Sequence, residues 1–435
     1  MKNWQEDYKL KLRTAEEAVK IVRDGDTVHI GTASSVARVL AEALYQRKNE
    51  LHNVKISSAV NMWMLPFYTD EPNDAFSVVT YFAGAAEREA MKHNNCNYTS
   101  LHLSRVDQWC RDILEGGVAF IEVSPPDEYG YMSYGAYTAM HDDVRAAASR
   151  VVLQVNRNVP YVYGMKNLIH VSQADYIVEA DAPLAVAPDA PIDDTSDVIS
   201  KIIVDQIPDG ATIQLGLGGL SGAIGYGLKD KNDLGVHSEM FTNSMKYLME
   251  RGVVTNKRKN YIPGKAVVGF VLGPKELYDF VHRNPDVMFT PFTFVNNPNI
   301  IARNDNFISV NTAMSVDLFG QVAADNMGGR QQSAVGGQVD FVRGAQMSKG
   351  GKSFIALPSV IENKKGRSSR IVLSFTPGTA VTTSRQDVQY VATEFGCVNL
   401  KPLTMADRAR ALIQLAHPDF RDELTEQAKI AGLFK

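Results

Sequence analysis

Four stretches of this 435-residue chain combine residue types that could carry chemistry. The first is Gly216-Leu217-Gly218-Gly219-Leu220-Ser221-Gly222, which follows the apolar run Ala211–Leu215 and opens a helical pattern. A glycine-rich turn from strand to helix lets backbone N–H groups approach an anion at the positive helix end. The same groups could stabilise an oxyanion, and a tight turn requiring positive φ would ask for the same glycines. It is not a dinucleotide fingerprint, because Ser221 stands where Gly-x-Gly-x-x-Gly needs its last glycine.

The second stretch is GVHSEM (235–240), with the helical FTNSMKYLMERG after it. Glu239 would sit near the carboxyl end of a strand, where open α/β sheets place their ligands. His237 would project to the same side if the segment is extended. Composition alone does not separate Glu239 from a solvated surface carboxylate. The third stretch pairs SVNTAMSVDLFGQVAAD (309–325) with SAVGGQVDFVRGA (333–345). Gly336-Gly337 in a strand-like setting suggests close backbone approach to a ligand, or else a bulge. Asp317 and Asp340 suit caps as well as a site. The fourth, SPPDEYGYMSYGAY (124–137), is an ordered loop with four tyrosines, fit for binding or for packing.

The elements around these stretches must position them. Short β-branched runs such as DTVHIG (26–31), VKISSAV (54–60) and VAFIEVS (118–124) alternate with amphipathic segments, which argues βαβ units and parallel sheet. Around 181–197 the texture changes to DAPLAVAPDAPIDDTSD, an exposed connection between domains. The segments on its two sides repeat. DGDTVHIG (24–31) and DGATIQLG (209–216) share an Asp-Gly turn and a strand ending in glycine, and each precedes a small-residue loop and a helix. A repeat separated by almost half the chain implies a duplicated domain, since solenoid repeats run roughly 20–50 residues. Two similar α/β domains, 1–190 and 191–435, are expected. Beyond Thr404, two helices broken near Pro418 are expected.

Composition removes several classes. A net charge of -4 with no Lys/Arg stripe gives nothing for nucleic acid to bind. Cys96, Cys110 and Cys397 lack disulfide or zinc spacing, so no metal site is expected. MKNWQEDYKLKLRT holds no apolar core of a signal peptide, and no run is long enough to span a bilayer. A cytoplasmic location is the expectation.

Taken together, the chain resembles the acetyl-CoA hydrolase/transferase family of class I CoA-transferases, nearest the 4-hydroxybutyrate and butyryl-CoA:acetate branch. SPPDEYGYMSYG, VNRNVPYVYG (155–164), QLGLGG (214–219), LGVHSEMF (234–241), VNTAMSVDLFGQV (310–322) and VGGQVDF (335–341) carry the resemblance in order along the chain. It implies two three-layer α/β domains of the CoA-transferase fold. It implies Glu239 as nucleophile, Gly216, Leu217, Gly218, Gly219 and Leu220 as a CoA-contacting loop, and Asn311 with Gly336-Gly337 near the thioester. Family members often carry proline after the glycines, where this chain has Leu220-Ser221, a change that reshapes the acyl pocket.

The implied chemistry conserves thioester energy through a covalent glutamyl-CoA intermediate, with CoA as substrate, no further cofactor, and a homo-oligomer as the expected assembly. The nearest rival is a hydrolase that uses the same intermediates with water as acceptor. A nicotinamide dehydrogenase fails on the Ser221 mismatch. A non-catalytic CoA-binding protein would be expected to lack the carboxylate at 239.

Overall fold

The computed structural model describes residues 4–363 and 366–435. Backbone proximity divides the chain into two compact units, Met1–Pro188 with Val267–Val295, and Asp189–Ala266 with Asn296–Lys435. Where the sequence reading ran one uninterrupted domain from 191 to 435, the chain makes an excursion to the first unit over Val267–Val295. The crossing at 188/189 lies in residues 180–193, which form neither helix nor strand. Pro183, Pro188 and Pro191 there lack the N–H that a helix or ladder would use.

The first unit is built on seven parallel strands: β1 (Thr27–Thr32), β2 (Val54–Ala59), β3 (Phe76–Thr80), β4 (Cys96–Tyr98), β5 (Val118–Val123), β6 (Arg150–Val155) and β7 (Tyr176–Glu179). Their order in space is β7-β6-β5-β1-β2-β3-β4. Every residue of β5 is buried, as expected of a parallel strand covered on both faces. On one face, Leu40, Ala41 and Leu44 of α1 (Arg38–Tyr45) join Val28, Ile30, Ile56, Val118 and Phe120 in a single core. On the other lies α2 (Val106–Leu114), where Trp109 meets Tyr81 edge-on at 5.0 Å. After β1, a short strand Ser35–Val36 folds back antiparallel on Gly31 and Thr32.

The second unit has β8 (Thr212–Leu215), β9 (Gly235–Phe241), β10 (Phe307–Thr312), β11 (Lys352–Ala356), β12 (Tyr390–Thr393) and β13 (Gly396–Asn399) in the order β13-β12-β11-β10-β8-β9. All neighbours are parallel except the β12–β13 hairpin. Helices α3 (Asp194–Val204) and α4 (Gly219–Gly227) pack together on one side, joined by Ser200 Oγ donating to the Ala223 carbonyl at 2.9 Å. Thr242 caps α5 (Asn243–Glu250). On the opposite side lies α6 (Gln338–Met347), whose Phe341 stacks on Phe307 at 6.2 Å. Val342 of α6 shares a core with Ile355 and with Leu412 of α7 (Met405–Leu415). The Thr404 side chain accepts from Asp407 N to cap α7, and Pro418 begins α8 (Pro418–Ile430).

Read through their central strands, the sheets repeat: β7-β6-β5-β1-β2 in the first unit and β12-β11-β10-β8-β9 in the second. Both Asp-Gly turns before β1 and β8 carry glycine at positive φ, Gly25 at 77° and Gly210 at 75°. This is the architecture of two similar α/β domains that the repeat implied, in the three-layer form that the family resemblance implied. One local expectation fails. The setting of Gly336-Gly337 reads as strand-like in the sequence, and the run after the pair is helix α6. Val339, Phe341, Val342 and Ala345 recur at three- and four-residue spacing and are all buried.

Candidate active site

The site begins with strand register. Thr212 pairs with Gly235 and Ile213 with Val236, so continuing along β8 and β9 brings Gly216 opposite Glu239. Across β8 and β10, Leu215 pairs with Val310, and Gly216 N donates to the Val310 carbonyl at 3.2 Å. Asn311 is therefore the next residue beside Gly216. Glu239, Gly216 and Asn311 share the carboxyl ends of three adjacent parallel strands, which is where such sheets place ligands.

Glu239 is partly buried, and its surroundings are specific. Asn296 Nδ2 donates to its Oε2 at 2.8 Å, and the Gly337 N–H at the start of α6 also hydrogen bonds the carboxylate. A Cβ at Gly337 would fall inside contact distance of both Glu239 Oε2 and Asn296 Nδ2. Only glycine lets the start of α6 come this close. Lost hydration pushes the Glu239 pKa up to about 7. The Asn296 donor and the Gly337 N–H pull it down, and the charge of Asp340, in the first turn of α6, pushes it up. A carboxylate with its charge balanced near neutrality, one oxygen held by donors, suits a nucleophile.

The other residues named from sequence divide into groups. Gly336 has φ of 58° and precedes Gly337 at the foot of α6. In the loop after β8, Leu217 is exposed and Gly218 adopts φ of 103° with open space where a Cβ would lie. Gly219 lies under the Pro191 carbonyl, too close for any side chain, and Leu220 turns into the core. So the outward part of the loop is Leu217-Gly218, while Gly219 and Leu220 anchor it. Asn311 is buried, and its amide donates to Ser309 Oγ at 2.9 Å and to Gln214 Oε1 at 3.2 Å. Both amide protons thus turn inward to its neighbours on β8 and β10.

His237 lies on the Glu239 side of β9 but is buried edge-on to Phe307 and Phe341, at 5.9 and 6.4 Å. Asp317 accepts from the N–H groups of Phe319 and Gln321 at 3.1 and 2.8 Å, which makes it a turn cap. In the tyrosine loop, Tyr134 and Tyr137 pack on His141 while Asp127 accepts from Tyr131 N and the Tyr161 hydroxyl. All three cysteines are free thiols. Among the described residues no cluster of three or more His, Cys, Asp or Glu side chains could hold a metal, and no helix is long and apolar enough to cross a membrane.

Asn296 was not found from sequence. It belongs to Asn296-Asn297-Pro298, which reads as a helix start, and Asn297 does serve that purpose by accepting from Asn299 N at 3.0 Å. The cap signal of one asparagine hides the other. The only available clue is that a cap needs one asparagine and the chain supplies two.

Residues 1–188 match the acetyl-CoA hydrolase/transferase N-terminal domain, and residues 273–428 match its C-terminal domain. The chain is 41% identical over 427 residues to 4-hydroxybutyrate coenzyme A transferase of Clostridium kluyveri, covering 98% of this chain and 99% of that one. It is 37% identical over 442 residues to butyryl-CoA:acetate CoA-transferase of Anaerostipes caccae, covering 100% and 99%. The crystal structure of RipA from Yersinia pestis superposes with a TM-score of 0.93 at 36% identity, over 99% of this chain and 100% of that one. With these matches along its whole length, the chain belongs to the acetyl-CoA hydrolase/transferase family.

Proposed function

We propose that this CoA-transferase exchanges CoA between a short-chain acyl-CoA and acetate, with Glu239 as the covalent nucleophile. The donor is butyryl-CoA, 4-hydroxybutyryl-CoA or a similar thioester, as the names of the relatives indicate. The observation that carries the mechanism is the Glu239 carboxylate at a strand end, with Oε2 held by Asn296 and its pKa pushed up to about 7.

Each step balances. The free Glu239 oxygen attacks the acyl-CoA carbonyl, the C–S bond breaks, and CoA leaves as thiolate from a glutamyl-acyl anhydride. The thiolate attacks the Glu239 carbonyl carbon, releasing the first acid as carboxylate and leaving a glutamyl-CoA thioester. The incoming carboxylate attacks that thioester, forming a second anhydride and freeing the thiolate. The thiolate then attacks the new acyl carbon, which gives the product acyl-CoA and restores the Glu239 carboxylate. Covalent catalysis divides one hard exchange into easier steps and predicts ping-pong kinetics.

Every attack places negative charge on a carbonyl oxygen. This reading assigns that charge to backbone N–H donors of the two glycine loops, at Leu217-Gly218 and Gly336-Gly337. CoA enters as substrate, and this reading requires no further cofactor. It also includes a cytoplasmic homo-oligomer.

The test follows butyryl-CoA with and without acetate. Consumption that depends on acetate, with acetyl-CoA formed mole for mole, is expected. Rapid loss without acetate, unchanged by adding it, would make the protein a hydrolase.

A further inference from the structure

We infer that Ser221 is a specificity-determining residue: its hydroxyl meets the far end of the donor's acyl chain and favours a chain that ends in a neutral hydrogen-bonding group over a plain alkyl chain. This deepens the proposed function and rests on the acyl group reacting at Glu239.

The protein gives the Ser221 hydroxyl nothing to do. Ser221 stands in the first turn of α4 and is 2% exposed, and its Oγ has no hydrogen-bond partner among the described residues. A serine inside a helix often returns its hydroxyl to the carbonyl four residues back, and here it does not. Leaving a buried hydroxyl unpaired is costly, and alanine would suit the helix better. Ser200 on the neighbouring α3 shows the contrast. It is equally buried, but its hydroxyl donates to the Ala223 carbonyl at 2.9 Å.

The unpaired hydroxyl lies beside the reacting carboxylate. Gly216 is opposite Glu239 on the next strand, and adjacent strands run about 4.8 Å apart. A Cβ built on Gly216 would lie 3.4 Å from Ser221 Oγ and 3.8 Å from the Val310 carbonyl oxygen. Beyond its chain neighbours it would meet no other described atom within 4 Å. Glycine at 216 thus leaves a niche one strand from Glu239, bordered by one hydroxyl and one carbonyl. The Val310 oxygen accepts from Gly216 N at 3.2 Å and keeps a second lone pair.

Those two borders define the chemistry that fits. An extended four-carbon acyl chain runs about 5 Å from its carbonyl carbon to a terminal oxygen, at roughly 1.5 Å per bond, which matches the strand spacing. A terminal hydroxyl can donate to the Val310 carbonyl and accept from Ser221. A terminal methyl fills the same space and leaves Ser221 unpaired. A terminal carboxylate would set its oxygens against the Val310 oxygen, and neither border carries a charge to pair it. Sites that hydrogen-bond a substrate hydroxyl reject the analogue lacking it, because the buried partner is left alone.

The experiment compares kcat/KM for 4-hydroxybutyryl-CoA and for butyryl-CoA, with acetate as acceptor, in wild type, Ser221→Ala and Ser221→Cys. Wild type is expected to prefer the hydroxylated donor by about 10–100-fold, the scale of one hydrogen bond to a buried neutral group and the loss of leaving that group unpaired. Ser221→Ala is expected to bring the ratio close to one, chiefly by slowing the hydroxylated donor. Ser221→Cys keeps nearly the same shape with a weak donor, and its ratio should fall between the two.

A wild-type ratio near one overturns the assignment, and so does a ratio that Ser221→Ala leaves unmoved. Equal loss on both donors overturns it too, because the hydroxyl would then serve the CoA portion or the helix and not the acyl end. If Ser221→Ala does not fold, the cysteine variant decides by the same ratio. These failures leave acetate-dependent turnover in place. Absence of acetate-dependent turnover with either donor is a different result: it overturns the proposed function, and the role of Ser221 falls with it.

Discussion

The two units carry the same sheet, and at matching places they carry different chemistry. The repeat aligns Val28 with Ile213 and Gly31 with Gly216. Val28 pairs with Ile56 and Val118, and Ile213 pairs with Val236 and Ile308. The β1–β2 ladder shifts register between His29 and Gly31, so Ser58 stands opposite Gly31 at the place of Glu239, and three residues along β5 from Val118 is Ile121, at the place of Asn311. Both are fully buried, and the Ser58 hydroxyl donates to the Gly31 carbonyl at 3.0 Å. The strand end after β1 is closed as well, because the Ser35–Val36 strand returns over Gly31 so tightly that a Cβ would run into the Ser35 carbonyl. After Gly216 the chain runs into α4, with open space at Gly218. One architecture thus supports a packed strand end in one unit and an open, polar strand end in the other. The fold supplies the place for a site, and a few side chains decide whether a site is there.

Breaking the open end should have the largest effect. Gly337→Ala forces a methyl group against Glu239 Oε2 and Asn296 Nδ2. Turnover is expected to fall by about 10²–10³-fold, the range for loss of a preorganised donor. Steady-state kinetics beside a thermal melt is the measurement. Because the site lies at a strand end and not in the central core, the melt should move far less than the rate. A loss of folding equal to the loss of rate would erase the distinction.

A smaller pair of effects sharpens the contrast. Gly31→Ala meets backbone at the Ser35 carbonyl and at Val36 with φ of 113°, so stability should drop by about 2–4 kcal/mol. Gly218→Ala also carries an unfavourable φ, 103°, but meets nothing. With ψ of 173° it lies in a region open essentially to glycine, so it should cost about 1–3 kcal/mol without the added backbone clash of Gly31→Ala, and its larger effect should be on KM for acyl-CoA. Chemical denaturation of both variants, with KM for the second, measures the difference. Equal destabilisation by the two would mean that the loop after β8 is as closed as the one after β1.

Much of this was legible in the sequence where the signal was local. Asp24-Gly25 and Asp209-Gly210 mark turns by their chemistry, and the strands after them end at Gly31 and Gly216, so the duplication could be read directly. Gly336-Gly337 reads equally as close backbone approach to a ligand or as a bulge, and what comes close to Gly337 is the protein's own Glu239 and Asn296. The strand-like setting expected there is overturned by the helix, whose Val339, Phe341, Val342 and Ala345 are buried at helical spacing. Two features could not be read at all. The excursion over Val267–Val295 has no composition shift at either end, and what assigns it to the first unit is tertiary packing. Asn296 meets Glu239 across 57 residues of sequence, and no local pattern records such a contact.

The most direct measurement is intact mass after incubation with acyl-CoA alone, for wild type and for Glu239→Gln across pH. Wild type should gain one CoA-sized mass, and the gain should appear faster as pH rises through about 7. The carboxyl must lose its proton to attack, and burial holds that proton to about that pH. Glu239→Gln, with an amide in place of the carboxylate, should gain no mass at any pH, although it should remain folded. A CoA adduct on Glu239→Gln, or wild-type turnover with no adduct under any condition, would contradict the account.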